Sequence, residues 1–201
     1  KNQTQEKFLM KRNSFLQMAG MGLMSVPLFG APLHAMAAER SARKIRQPRN
    51  LQPGDTIGIT CPAGFALSAT IQPCKIILES WGYKVRLGDT VGKTDHTFGG
   101  TDTERAADLQ RMMDDPDIHA ILCATGGYGT VRIIDQLNFK NFRKHPKWII
   151  GFSDITVLHS HLHQVVGVAS IHAKMCGSFP NDWELADEIQ KATILSEYFK
   201  V

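Results

Sequence analysis

Lys147 to His163, KWIIGFSDITVLHSHLH, is the stretch whose reading decides the fold. Trp148, Ile149 and Ile150 form a short apolar run of the kind that makes a buried strand. Gly151-Phe152-Ser153-Asp154 then turns the chain. Ile155 to His163 follows as a helix with Ile155, Leu158 and Leu162 on one face. A serine at a sharp strand-to-helix turn can be a nucleophile elbow. Such a turn lifts the hydroxyl clear of the sheet and aims the next backbone N–H, here that of Asp154, at an oxyanion. The pattern is G-x-S-D and lacks the second glycine of G-x-S-x-G. On these four residues alone, a helix cap supplied by Ser153 or Asp154 is the simpler reading.

The same alternation of strand, turn and helix extends outward from this stretch. Ala120 to Ala124 is a nearly continuous apolar strand, as expected for one covered on both faces. It runs into the glycine turn Thr125-Gly126-Gly127-Tyr128-Gly129 and a helix from Thr130 to Leu137. Further upstream, Thr56 to Thr60 is a short β-rich strand ending in the loop Cys61-Pro62-Ala63-Gly64. Ile71 to Trp81 is a helix with Ile71, Cys74, Ile77, Leu78 and Trp81 on one stripe, stopped by Gly82. Tyr83 to Leu87 is a second strand, and the polar, glycine-bearing Thr90 to Gly100 a loop. Thr103 to Met113 is a helix capped by Thr101 or Asp102 and stopped at Asp114-Asp115-Pro116. Val165 to Ile171 reads as one more strand and Trp183 to Lys200 as helical. This order predicts an α/β fold: a flavodoxin-like or Rossmann-like parallel sheet with helices on both faces. Ligands of such sheets sit beyond the carboxyl ends of the strands. Three loops fall there: 61–64, 125–130 and 151–154.

Composition narrows the class. The 201 residues are 43% hydrophobic and 21% charged, ordinary for a globular protein with one sizeable core. From Met10 the chain has the parts of an export signal: Lys11-Arg12, an apolar stretch from Phe15 to Leu33, and Ala35-Met36-Ala37 as a cleavage site. Arg12-Asn13-Ser14-Phe15-Leu16-Gln17 looks like a twin-arginine signal whose second arginine is Asn13. Residues 1–37 are therefore read as a leader of an exported, periplasmic protein. Residues 38–50 form a loose basic linker, 51–180 the main domain, and 181–201 a helix leading onward. Without the leader, the formal charge falls from +4 to +1, so the basic balance gives no support for a nucleic-acid partner. No later stretch approaches the roughly 18 apolar residues of a membrane span. Cys61, Cys74, Cys123 and Cys176 have no paired C-x-x-C spacing of a zinc site, and Cys61 and Cys123 read as small buried hydrophobes.

The glycine turn has three readings. Its amides could cradle a phosphate, although the lysine of a P-loop is missing. It could be only a tight turn that needs positive φ. It could also supply oxyanion donors beside Ser153. His159 and His163 are four apart on a helix, but no carboxylate sits between them in the H-E-x-x-H manner. Together with His161 they read as surface or interface histidines, and no metal is expected.

ILCATGGYGTVRIIDQLNF followed by PKWIIGFSDITVLHSHLH resembles the LD-carboxypeptidases, serine peptidases that trim the terminal D-alanine from murein tetrapeptides. The related microcin C self-immunity peptidases share both motifs. The likeness also covers GDTIGITCPAG and runs from about Leu51 to Met175. It implies Ser153 as nucleophile, the amides of Asp154 and Gly127 as oxyanion donors, and Thr125, Gly126 and Tyr128 as substrate-binding residues. It implies no cofactor and a murein peptide as substrate. An apolar face beside the 125–130 and 151–154 loops, uncovered without the family's second domain, would favour association, with a homodimer as the partner expected. The family triad is Ser-Glu-His, with Glu and His on a C-terminal domain that no segment here resembles. The expectation is therefore an N-terminal, nucleophile-bearing half that is inactive alone. His172 is the one local candidate for a base. Thr125 departs from the pattern, because many family members carry arginine before G-G-Y-G. The alternatives are a peptide–nucleotide immunity hydrolase, or a non-catalytic flavodoxin-like module holding a phosphate on the 125–130 loop.

Overall fold

The computed structural model describes residues 44–198. The leader of residues 1–37 and the linker as far as residue 43 lie outside them. Five strands form one sheet: β1 Thr56–Thr60, β2 Lys84–Leu87, β3 Ala120–Cys123, β4 Trp148–Gly151 and β5 Ile171–His172. Their order is β2-β1-β3-β4-β5 and every pair is parallel. This is the flavodoxin-like order, in which the winding reverses between β1 and β3 and opens a crevice at their carboxyl ends.

The period-two alternation of each strand divides its residues between two packed layers. Ile57, Ile59, Leu122 and Ile150 face helix α1 (Ser68–Ser80) through Ile71, Cys74, Ile77 and Leu78. Ile121, Cys123 and Ile149 face the other way. They meet Leu109, Met112 and Met113 of α2 (Asp102–Asp114), Ile133 of α3 (Thr130–Ile133) and Phe142 of α4 (Lys140–Lys144). Leu158 of α5 (Thr156–His161) completes that layer. Each fully buried Ile, Leu or Phe contributes about 1.5–3 kcal/mol, against about 1 kcal/mol net for a ladder hydrogen bond. Strands of two to five residues are thus held by their two covers more than by their own pairing. No helix among the described residues is long and apolar enough to cross a membrane.

Some local expectations change. Val165 and Val166 are not strand. They belong to a π turn, Leu162–Val166, which continues α5 and is closed by Gly167 at φ +77°. Gly167 and Val168 both donate to the Leu162 carbonyl (2.7 and 3.1 Å), which delays β5 to two residues. The last helix, α6, begins at Glu188 rather than Trp183. Asp182 accepts the Glu184 N–H at 2.9 Å in a turn before it, and Asp187 caps its start by accepting the Gln190 N–H at 2.9 Å. The described end of the basic linker is not loose. Arg46 pairs by backbone with Gly167 and Ala169, and Arg49 forks onto Asp55 at 2.7 Å with both nitrogens. Trp148 Nε1 donates to the Arg49 carbonyl at 2.9 Å.

Candidate active site

Ser153 stands two residues past the last residue of β4 and has φ +61°, a left-handed conformation that a residue with a Cβ adopts at a cost of about 1–3 kcal/mol. The extended Phe152 precedes it, and a 3₁₀ turn over Ser153–Ile155 is closed by Ile155 N–H to the Phe152 carbonyl (3.3 Å). The serine side chain is left exposed at the crest of the turn. Neither Ser153 nor Asp154 caps the helix that follows, so the helix-cap reading fails. The Asp154 carboxylate instead accepts the N–H of Thr130 at 2.8 Å, the first residue of α3, and ties the serine turn to the glycine turn.

The glycine turn lies against the serine. A Cβ added to Gly126 would sit 2.9 Å from Ser153 Cβ, 3.1 Å from its Oγ and 3.5 Å from the Asp154 nitrogen. Glycine here lets the two backbones approach. Gly127 and Gly129 have φ +98° and +133°, so the turn needs both. A Cβ on Gly127 would meet only Gly64, at 3.7 Å or more, so the residue whose substitution crowds Ser153 is Gly126. The Gly126 carbonyl accepts the Gly64 N–H at 2.8 Å, which joins the loop after β1 to the same cluster. Among the described residues, neither the Asp154 nor the Gly127 N–H donates to a protein acceptor. Thr125 is half-buried, and Tyr128 is exposed with its ring 6.2 Å from that of Phe98. All six residues singled out in the sequence thus belong to two adjoining loops.

Helix α2 supplies two groups that the sequence reading missed. Arg105 and Asp108 are buried, on the same helix side as Leu109 and Met112. Asp108 accepts from the hydroxyls of Thr60 (2.8 Å) and Thr90 (2.6 Å) and from the N–H of Asp89 (3.0 Å). Arg105 donates to the carbonyls of Pro62, Gly100 and Gly129. The detectable signal was position: Arg105 stands four residues before Leu109 and seven before Met112, inside the apolar stripe.

His159 is a half-buried anchor and not a surface group. Its Nε2 lies 2.9 Å from the Gly151 carbonyl and its Nδ1 2.8 Å from Ser170 Oγ. A carbonyl only accepts, so Nε2 carries the proton and Nδ1 accepts from the serine. Burial lowers its pKa, and with both nitrogens engaged it offers no lone pair to a metal. His172 pairs in register with Gly151, and its ring lies 6.2 Å from that of Phe152. Among the described residues no imidazole or carboxylate is hydrogen-bonded to Ser153 Oγ. All four cysteines are free and buried, and burial pushes the Cys61 thiol up to about 12, which leaves it protonated and unreactive. Two surface hollows of about 490 and 500 Å³ lie around Lys174 and Gln190, and around Phe139 and His161. Neither of these two includes Ser153.

A strained serine on a raised turn, with two unoccupied amides and a glycine pressed to its side, is a geometry for nucleophilic attack on a carbonyl. The chain is also similar to known proteins. Over 129 residues it is 40% identical to a probable murein peptide carboxypeptidase of Bacillus subtilis, covering 64% of this chain and 40% of that protein. The solved wild-type microcin C7 self-immunity protein MccF superposes with a TM-score of 0.64 at 25% identity, over 75% of this chain and 46% of that one. A muramoyltetrapeptide carboxypeptidase from Oxalobacter formigenes gives 0.58 at 28% identity, over 65% and 44%. The chain therefore spans less than half the length of these relatives. Residues 57–173 match the LD-carboxypeptidase N-terminal domain, and the chain belongs to that family.

Proposed function

We propose that the protein carrying this chain is an exported serine LD-carboxypeptidase that releases the terminal D-alanine of murein tetrapeptides. The observation that carries the reading is Ser153 at φ +61°, in the turn after β4, with Gly126 packed on its side chain. In the reaction a base takes the Ser153 proton as Oγ attacks the peptide carbonyl. The Asp154 and Gly127 amides hold the tetrahedral oxyanion, D-alanine leaves, and water hydrolyses the acyl-enzyme. The family resemblance puts the base and its orienting carboxylate in the C-terminal half. Murein peptides are the substrate named for two of the relatives, and an export leader fits a cell-wall substrate.

A second reading, hydrolysis of a peptide–nucleotide conjugate, is favoured by the likeness to the self-immunity protein. The full-length protein assayed on a murein tetrapeptide and on a peptidyl-nucleotide separates the two. D-alanine release without nucleotide-conjugate cleavage supports the first. The opposite pattern supports the second.

A further inference from the structure

We propose that Arg105 is a positioning residue for the serine site, acting through the glycine turn; the inference rests on the peptidase reading. Its guanidinium is 0% exposed, a costly place for a charge unless its donors are satisfied. They are satisfied by three different loops. Nε donates to the Gly100 carbonyl at 3.1 Å, before α2. Nη1 donates to the Gly129 carbonyl at 3.0 Å, after β3, and to the Pro62 carbonyl, after β1. Nη2 pairs with Asp102, which Arg132 also holds from outside at 2.8 Å. Both guanidinium groups also lie near the Phe98 ring, 4.9 Å (Arg105) and 5.1 Å (Arg132) from its centroid.

An apolar side chain at position 105 would hold α2 to the sheet about as well, since Leu109, Met112 and Met113 already do so. What only a planar fork of fixed donors provides is the mutual placement of three backbone segments. Two of these lead to Ser153. Gly129 precedes Thr130, whose N–H is bonded by Asp154. Pro62 is two residues before Gly64, whose N–H holds the Gly126 carbonyl, and Gly126 packs on Ser153. Gly129 is tailored to this contact, because a Cβ there would fall 2.8 Å from Arg105 Nη1. Arg105 touches neither Ser153 nor the surface, so its effect on the reaction is on the position of the Gly127 amide.

The test compares wild type, Ser153→Ala, Arg105→Lys and Arg105→Met of the full-length protein on a murein tetrapeptide, well below each melting midpoint. Misplacing donors by an ångström can cost about 100-fold in rate. We expect kcat to fall about 100-fold in Arg105→Met and about 10-fold in Arg105→Lys, with KM within about threefold. Lysine recovers part of the rate because its ammonium reaches some of the same carbonyls. The amide resonances of Gly127 and Tyr128 should shift in Arg105→Lys, which keeps a readout if the methionine variant does not fold. A purely structural role would lower the midpoint and leave kcat and those resonances unchanged, and that result overturns the inference. If wild type releases no more D-alanine than Ser153→Ala, the peptidase reading fails and the inference falls with it. If wild type is active and both Arg105 variants keep its kcat, only the inference fails.

Discussion

The Asp154 carboxylate accepts the backbone N–H of Thr130 at 2.8 Å, so the turn that raises the serine and the turn that carries the glycines are joined directly. Thr130 is fully buried, and its N–H would have no water to replace this acceptor. Asp154→Ala is expected to lower the unfolding free energy by about 1–3 kcal/mol. Asp154→Asn keeps an acceptor oxygen and should lose less. Denaturant unfolding of both variants checks the order. Equal stability of wild type and the alanine variant would show that the bond contributes nothing.

Two neighbouring glycines should respond differently to substitution. Gly126→Ala places a methyl 2.9 Å from Ser153 Cβ, so it should displace the serine and lower kcat steeply. The Cβ of Gly127→Val meets only Gly64, at 3.7 Å or more, but the φ of +98° is unfavourable for a β-branched residue. It should destabilise the turn by about 1–3 kcal/mol and pull the Gly127 amide out of place. Kinetics and unfolding on the two variants test this. Wild-type turnover in Gly127→Val would remove Gly127 from the oxyanion site, and wild-type turnover in Gly126→Ala would remove the close contact with Ser153.

The stability of the fold should depend on pH through His159. Burial, and to a lesser degree the neighbouring His172, holds its pKa below the usual 6.5 while it donates to the Gly151 carbonyl. The unfolded chain therefore binds a proton first as pH falls. The stabilisation is complete above about pH 6.5 and is lost progressively below it, down to the folded-state pKa. Midpoints measured from pH 7.5 to 5 should fall, and His159→Gln should flatten that slope. An unchanged slope in the variant would assign the effect to other groups.

The proposed leader has its own readout. Positive, apolar and A-x-A segments follow in order from Met10, so the exported protein should begin near Ala38 by mass spectrometry. A cytoplasmic, unprocessed product would refute the export reading.

Much of the architecture could be read from the chain because its three central strands are short, largely apolar runs. TIGIT, AILC and WIIG are buried on both faces, and each ends in a Gly-, Pro- or Ser-bearing loop. Both site loops were legible for the same reason. What could not be read were interactions between segments distant in sequence. The partner of the Asp154 carboxylate lies 24 residues back, and the carbonyls held by Arg105 are 43 and 24 residues away. Position on the apolar stripe marks Arg105 as an interior candidate, but a local pattern names no partner for its charge or for that of Asp108. Those partners are supplied by loops brought together only in the folded chain. The short β5 was obscured similarly, because Val165 and Val166 suit a strand while Gly167 and the Leu162 carbonyl extend the helix.

The central claim is that Ser153 attacks the peptide carbonyl, and it is tested most directly by the Ser153→Ala variant of the full-length protein on a murein tetrapeptide. D-alanine release is followed by mass spectrometry, with unfolding midpoints measured in parallel. Removing the nucleophile of a serine triad lowers kcat by about 10⁶-fold, so release should fall to background while the midpoint stays close to wild type. Undiminished release by a folded Ser153→Ala protein would contradict the account.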